Sequence, residues 1–301
     1  MKLYLLLLHN SVVMIYLLLC IICSTSIIIL FKYFGRFEIN NFNAIIINYL
    51  TAALLGLTIS FNSLRNTNVF IQSWFPLAVL IGILFVIMFY MIALTTQKAG
   101  ISVSSVASKM SVIVPMLFSM LYYQEQINNY KISGMVLAVI AVVFTAIRKN
   151  NHFRNTKYLF LPFILFFGMG IVDSLVKFSQ HEYLREQSLP VFSTLLFTIS
   201  AITGIIIRLL KKSPNHSAIN IKVVTGGMLL GIANYGSLYF LVHALNSNFV
   251  DSSIIFGLNS VGIVLLSVSL AIILFKEKLS FINWTGIVLS IITIFVLTRA
   301  Y

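Results

Sequence analysis

The chain has 301 residues, of which 59% are apolar and only 9% are charged. So few charged side chains cannot cover the water-facing surface of a globular protein, which excludes a soluble domain and favours a protein whose solvent is lipid. The formal net charge of +13 comes from basic residues in short stretches between apolar runs. That distribution is typical of membrane orientation rather than of nucleic-acid binding.

Ten apolar segments follow one another along the chain. A hydrocarbon core of about 30 Å requires about 20 residues of helix, and helix is needed because unpaired backbone groups are costly in lipid. The segments are residues 12–31, 44–61, 74–95, 101–122, 132–147, 158–178, 189–209, 223–244, 250–275 and 281–297. The first is too long for a typical signal peptide, so we interpret it as a retained span. The sequence therefore predicts an all-α integral membrane protein with ten transmembrane helices.

The two halves of the chain carry similar features in the same order. Glu125 and Gly134 are nine residues apart at the junction of spans four and five, and Glu277 and Gly286 have the same spacing between spans nine and ten. Because five spans is an odd number, the second half enters the membrane from the opposite side. This pattern predicts two inverted five-helix repeats, which are frequent in secondary transporters. The predicted units are residues 1–150 and 151–301.

The repeated pattern Glu125-x8-Gly134 and Glu277-x8-Gly286, each after a long span and before a Gly-containing apolar helix, resembles the EamA family of the drug/metabolite transporter superfamily. The resemblance implies a secondary carrier of small organic solutes that works by alternating access. It also implies that spans one to four and six to nine surround a central cavity, with spans five and ten at the periphery. The motif names a family and no substrate.

Basic residues are distributed unequally between the two membrane faces. We call the face bearing both termini face A and the opposite face B. Of the twenty Lys and Arg residues, thirteen fall on face B and six on face A, and Lys109 lies inside a span. The positive-inside rule then predicts that face B is cytoplasmic. Proteins of the family that the chain resembles are usually drawn with both termini in the cytoplasm, which is the opposite orientation.

Lys109 is the first candidate site residue. It lies eight residues into span four, about 12 Å below face B, where a charge is costly and usually functional. Ser105 precedes it by four residues and therefore shares its side of the helix. We interpret Lys109 as an ammonium group that faces a cavity and attracts an anion such as a substrate carboxylate. The alternative is a lysine that extends to the membrane surface or pairs with a structural acid.

Asp173 is the one acid that lies well inside a predicted span. Lys177 follows it by four residues, so an intrahelical ion pair is one interpretation. The other is a proton or cation coupling site. Asp173 is placed about 22 Å from face B, about 10 Å further than Lys109, so the sequence does not require the two to touch.

Amides and tyrosines at mid-depth complete the candidate substrate-binding residues: Asn48 and Tyr90 in the first half, and Asn234, Tyr235 and Asn259 in the second. Side-chain amides in lipid either join helices or bind a solute. Both interpretations remain open for these residues.

The remaining motifs are given structural roles. Cys20 and Cys23 form a C-x-x-C pair without a second pair or a histidine cluster, so we interpret them as packing residues. Glu125 and Glu277 recur at equivalent turns and are expected to hold the turn or cap the next helix. No metal or other cofactor is predicted.

A secondary transporter of a small organic metabolite, such as an amino acid or another carboxylate-bearing solute, is the preferred function. The alternatives are a membrane-embedded lipid-modifying enzyme, which would need clustered acids or histidines, and a non-transporting assembly subunit. No phosphate-binding loop of the type G-x-x-x-x-G-K-[ST] is present, so a proton or cation gradient would drive any coupled transport. The expected setting is a bacterial cytoplasmic (inner) membrane, as a monomer or homodimer, with no enzymatic activity and no nucleic-acid partner.

Overall fold

The computed structural model describes residues 2–65, 68–124, 128–147, 160–184, 188–210, 220–245 and 252–298. Within these ranges the chain forms eleven α-helices and one 3-10 turn, Val69–Ile71, and no β-strand. The helices are α1 Lys2–Arg36, α2 Asn41–Arg65, α3 Phe75–Lys98, α4 Ile101–Met110, α5 Ile113–Tyr122, α6 Asn129–Ala146, α7 Leu161–Glu182, α8 Leu189–Leu210, α9 Ile221–Leu245, α10 Ser252–Phe275 and α11 Phe281–Thr298.

These helices confirm the predicted all-α membrane protein. In the described ranges, nine helical segments are long and apolar enough to cross a membrane, and Phe281–Leu297 is a shorter apolar helix. The predicted ends agree with the observed ones to within four residues, except that α1 is longer at both ends. The chain is therefore a multi-pass membrane protein.

The fourth predicted span differs from expectation because it consists of two helices, α4 and α5, separated by a turn at Ser111 and Val112. Pro115 explains the break. Proline has no N–H to donate to the carbonyl four residues earlier, which is that of Ser111, and its ring clashes with that group. The Ser111 carbonyl instead accepts from Val114 N at 2.9 Å. The span thus contains two additional helix ends near the middle of the membrane.

The helices pack in a small number of extensive pairs. α6 packs against α11 at one side of the bundle. In the remainder, α1 packs against α9 and α10, α2 against α8 and α9, α3 against α7 and α8, and α4 against α7 and α10. Helices from the first half therefore contact mainly helices from the second half, so neither half forms a separate domain.

Glycines allow several of these helices to approach closely. A Cβ atom added to Gly134 of α6 would collide with Leu297 of α11, and one added to Gly286 of α11 would lie 2.7 Å from Thr145 N of α6. The two glycines that the sequence singled out thus have the same role at one crossing. Since lipid supplies no hydrophobic drive between helices, such close packing is a main source of their association.

Glycines also allow close approach between α2 and α9 and between α3 and α8. A Cβ on Gly231 of α9 would lie 2.6 Å from the carbonyl oxygen of Asn48, and one on Gly82 of α3 would lie 3.3 Å from that of Leu196. Ser200 adds a hydrogen bond to the Gly82 carbonyl at 2.9 Å. At Gly231 the obstacle is backbone, which cannot rotate away as a side chain can.

The turns before α6 and α11 are built alike. Gln124 and Lys276 both have a positive φ, 53° and 50°. Asn128 caps α6 by accepting from Lys131 N at 2.8 Å, and Ser280 caps α11 by accepting from Asn283 N at 3.2 Å.

Of the two roles expected for the turn glutamates, holding the turn or capping the next helix, capping does not apply to Glu277, because Ser280 caps α11. Glu277 contributes to the turn through its backbone N–H, which donates to the carbonyl of Ala271, six residues earlier, at 3.1 Å. Glu125 lies outside the described residues.

We expect Gly231→Ala to destabilise the protein by about 1–3 kcal/mol, although alanine is the better helix former, because the added methyl group meets the Asn48 backbone. Thermal unfolding of the purified protein in detergent measures the change. The matched control is Ile232→Ala, one residue further on, where the side chain is 52% exposed. Equal stability of Gly231→Ala and the wild type would contradict the observed helix spacing.

Candidate functional site

Lys109 lies in the last turn of α4, beside the break in the fourth span. The residues before it, 101–107, are all buried, whereas Ser108 and Lys109 are partly exposed. An exposed lysine at this position requires space inside the helix bundle. The C-terminal end of α4 also carries partial negative charge on its last carbonyls, which stabilises an ammonium group there.

Asp173 is exposed on the inner side of α7. The outer side of that helix carries exposed apolar residues at helical spacing, Ile164, Phe167 and Ile171. Two residues beyond Ile171 correspond to a rotation of about 200° around a helix, so the Asp173 side chain points away from that lipid-facing stripe. Its exposure therefore reflects an opening within the bundle.

Lys109 and Asp173 lie on two helices that pack against each other, α4 and α7, and are close enough to interact electrostatically. They form no ion pair, since no carboxylate of the described residues lies within 4.0 Å of Lys109 Nζ. The Ser111 side chain, at the break between α4 and α5, lies beside the Asp173 carboxyl group. The structure thus brings together two charges that the sequence had placed at different depths.

The intrahelical ion pair between Asp173 and Lys177 is wrong. Lys177 Nζ donates instead to Ser119 Oγ of α5 at 2.6 Å, and the charged side chain that acts on Asp173 is Lys109. Lys177 therefore joins α7 to α5, one turn of helix away from the candidate site.

Two residues on neighbouring helices lie on the Lys109 side of the opening. Cys20 of α1 is close to Asn259 of α10 and to Ser24, and it interacts electrostatically with Lys109. The Cys20 thiol also donates to Ser237 O at 3.2 Å. The sequence had assigned Cys20 to packing only. The i, i+4 spacing of Cys20 and Ser24 was the available signal of a polar side on α1.

Asn259 of α10 is only 5% exposed. Its Oδ1 atom has no hydrogen-bond partner in the part of the chain that the structure describes. An unpartnered buried acceptor is costly, so this amide is a candidate ligand for a polar group that enters the bundle.

Asn48 and Asn234 bind each other. Asn234 Nδ2 donates to Asn48 Oδ1 at 3.2 Å across the α2–α9 crossing, where Gly231 allows the close approach. Both side chains are buried. This geometry favours the interpretation of the two amides as a contact between helices over that of solute ligands.

Ser105 and Tyr90 do not line the opening. Ser105 is fully buried and its hydroxyl donates to Ser102 O of the same helix at 3.1 Å. Tyr90 is 39% exposed and continues an outer stripe of α3 formed by Ile83 and Ile87, which is typical of lipid contact. Neither residue contributes to the candidate site in this structure, contrary to the sequence prediction.

Tyr235 begins a stretch of α9, residues 235–243, in which every side chain is partly exposed. Partial exposure around the whole helix means that this part of α9 packs less tightly against its neighbours than residues 223–234 do. The Tyr235 ring lies 6.1 Å from that of Tyr239, which in turn lies 4.1 Å from His243. An aromatic row therefore leads along α9 toward face A.

Polar side chains join four helices at the opposite end of the bundle. Gln97 Nε2 of α3 donates to Phe31 O at 2.8 Å and to Asn41 Oδ1 at 2.9 Å, and Asn41 Nδ2 donates back to Gln97 Oε1 at 3.0 Å. Thr96 Oγ1 donates to Ser104 Oγ at 2.9 Å. These contacts join α1, α2, α3 and α4 at face B.

Two further features are not part of this site. A shallow concavity of about 480 Å³ on α2 is lined by Leu54, Leu57, Thr58, Phe61 and Asn62, mostly apolar side chains on the outer surface. Within the described ranges, His, Cys, Asp and Glu side chains form no group of three that could hold a metal ion.

Comparisons with known proteins show the fold and leave the function open. No family model matches the chain. A protein of Haemophilus influenzae, described as uncharacterized, is 28% identical over 287 residues, which are 93% of this chain and 96% of the relative. The crystal structure of a protein has the same fold with a TM-score of 0.63 at 14% identity, and the match covers 96% of this chain and 97% of that one.

We expect the Asn48–Asn234 pair to be structural, with a coupling free energy of about 0.5–2 kcal/mol in a double-mutant cycle of alanine substitutions. Reversible unfolding in lipid–detergent bicelles gives the free energies of unfolding of the wild type, the two single variants and the double variant. Asn62→Ala, an exposed amide on the same helix α2, is the matched control and should leave stability unchanged. Additive effects of the two single substitutions would show that the amides do not support each other.

Proposed function

We propose that the chain is a secondary transporter that moves a small organic solute across a membrane by alternating access, and that it is a member of the EamA family. The observation that carries the proposal is the repetition of helix contacts between the two halves of the chain. Two further features support it: a pair of opposite charges inside the bundle, and different packing at the two ends of the bundle.

Equivalent residues of the two halves are related by adding a nearly constant number to the residue number in the first half. A shift of 152 residues moves Gly134 onto Gly286 and Thr145 onto Leu297, and the contacts between these residues are reciprocal. The same shift moves Gln124, with its positive φ, onto Lys276 and the capping residue Asn128 onto Ser280.

A second set supports the same relation elsewhere in the bundle. A shift of 148 residues moves Ile46 onto Thr194 and Gly56 onto Gly204, and a Cβ on Gly56 would meet Thr194 while one on Gly204 would meet Ile46. Contacts that map onto themselves when the halves are exchanged are expected of a two-fold axis. Because each half contributes five spans, that axis lies in the membrane plane, as in inverted repeats.

The charges support transport over a purely structural role. A lysine and an aspartate inside the hydrocarbon region are costly unless they contact water, a ligand or each other at hydrogen-bonding distance. Lys109 comes from the first half and Asp173 from the second, so their separation changes if the halves move relative to one another. A lipid-modifying enzyme would require a cluster of acids or histidines, and a simple assembly subunit does not require buried charges.

Alternating access explains the unequal ends of the bundle. The hydrogen bonds of Gln97 join helices at face B, whereas residues 235–243 of α9 pack less tightly toward face A. In an inverted repeat the other half can form the equivalent contacts at face A, which would expose the same site to face B. A carboxylate-bearing solute that binds Lys109 is the proposed cargo, and Asp173 is the proposed coupling residue for a proton or cation.

We expect Lys109→Ala to abolish solute movement while the protein still inserts and purifies as the wild type does. The substitution removes the one cation of the described spans that faces the opening, and with it the proposed partner of the solute carboxylate. Counterflow of radiolabelled amino acids and organic acids in proteoliposomes is the measurement. Lys222→Ala, at the exposed start of α9, is the control. Wild-type counterflow by Lys109→Ala would remove Lys109 from the site.

The charge distribution predicts that face B is cytoplasmic. A C-terminal epitope tag should then be accessible to antibody on intact spheroplasts without permeabilisation. A second tag in the segment between α6 and α7, on face B, should become accessible only after permeabilisation. The reverse result for both tags would place the termini in the cytoplasm.

A further inference from the structure

Lys109 and Asp173 form no hydrogen bond with each other. An ammonium group has three donors and a carboxylate about four acceptor positions. Neither hydrogen bonds nor an ion pair within 4.0 Å satisfy Lys109 in the part of the chain that the structure describes, although it lies inside the bundle. Asp173 has Ser111 beside it and is otherwise open to the inner space. Two opposite charges thus face one opening at a distance greater than direct contact.

Such a pair is neutral as a whole, and this determines which solutes it accepts. An anion drawn to Lys109 is repelled by Asp173, and a cation drawn to Asp173 is repelled by Lys109. A solute with only one charge therefore pairs with one side chain and leaves the other without a partner in a region of low dielectric, which is costly. A solute with both charges pairs with both.

The break before Pro115 lies beside both members of the pair. Lys109 is in the last turn of α4, where cations are stabilised. Asp173 lies beside Ser111, in the turn between α4 and α5. The two charges therefore lie near one break without direct contact, so a ligand can enter between them.

We propose that the site binds zwitterionic solutes, with the anionic group of the solute at Lys109 and its cationic group at Asp173. This inference rests on the proposed transport function and names its class of solute. It also gives Asp173 a role as a ligand for the solute, in addition to any role in ion coupling.

The test compares solutes that differ by one charged group. Three amino acids, alanine, leucine and phenylalanine, are each matched with the amine that lacks the carboxylate and the acid that lacks the amine. For leucine these are 3-methylbutylamine and 4-methylpentanoate. Binding is measured by calorimetry on the full chain purified in detergent, because the neutral forms of the amines and acids cross liposome membranes unaided.

We expect at least one amino acid to bind at least tenfold more tightly than both of its single-charge counterparts. Equal affinity for an amino acid and its amine or acid would overturn the proposal, and so would the absence of binding by all three amino acids.

Variants at the two charges should change selectivity in opposite directions. Lys109→Met should weaken amino-acid binding at least tenfold and strengthen binding of the matched amine, because Asp173 is then left without an opposing charge. Asp173→Asn should weaken amino-acid binding similarly and strengthen binding of the matched acid. Glu182→Gln, on the same helix but paired with His181 at its end, is the control for the acid, and Lys222→Met is the control for the lysine.

The double variant Lys109→Met with Asp173→Asn separates binding from a structural role. Under the proposal it loses the preference for amino acids. If the two charges only stabilise the fold, each single variant lowers the unfolding temperature, the double variant restores it, and amino-acid affinity in the double variant equals that of the wild type. That result would overturn the proposal.

Proteoliposome counterflow distinguishes this inference from the function on which it rests. Amino-acid binding without counterflow in the wild type would contradict transport and leave the binding class intact. Counterflow of a single-charge solute that has no membrane-permeant neutral form, such as a quaternary ammonium or a sulfonate, in preference to amino acids would leave transport intact and overturn the zwitterion site. If Asp173→Asn keeps the preference for amino acids and loses only its response to a pH gradient, Asp173 is a coupling acid and not a ligand, which also overturns the proposal.

Discussion

The hydrocarbon interior of a membrane offers no hydrogen-bond partners, and every backbone or side-chain polar group inside it must be satisfied by the protein. This constraint produces the helices of the chain, and it also limits where a helix can be interrupted. The break at Ser111 is tolerated because Pro115 removes one donor and because the freed Ser111 carbonyl accepts from Val114. The break lies beside the inner opening, where Lys109 and Asp173 lie near the new helix ends.

Close packing takes the place of the hydrophobic effect in joining the helices. Inside a membrane, exchanging lipid contacts for helix contacts gains little, so shape and small residues decide which helices associate. Gly134 and Gly286 bring α6 and α11 together, and Gly231 allows α9 to approach the backbone of α2 near Asn48. The Asn48–Asn234 hydrogen bond then depends on that short spacing. Packing determines the amide contact, and the amide contact limits how α2 and α9 can slide.

The unequal ends of the bundle follow from where polar side chains can reach each other. Gln97 lies at the end of α3 and contacts α1 and α2 together, which joins these three helices at face B. Toward face A, α9 presents partly exposed aromatic side chains such as Tyr235 and Tyr239. If the chain is a transporter as proposed, opening face B requires the Gln97 bonds to break, and the central charges then change their solvent and their separation.

The sequence by itself determined the number and order of the helices, because segment length and hydropathy are local properties that the bilayer thickness makes decisive. It also identified Lys109 and Asp173, since a charge within an apolar run is visible without a structure. It did not locate the break in the fourth span, although Pro115 was apparent, because a proline in a membrane helix either kinks or interrupts it depending on its neighbours.

Only the tertiary structure decided which side chains meet. Counting the helical rise from face B placed Lys109 and Asp173 at depths in the membrane that differ by about 10 Å. The packing of α4 against α7 nevertheless brings the two side chains close enough to interact electrostatically. Helical spacing allowed a pair between Asp173 and Lys177, whereas Lys177 binds Ser119 on another helix. Spacing along one helix gives the face on which a residue lies, but the tilt and rotation of neighbouring helices, determined by glycine contacts far from the charges, decide what that face touches.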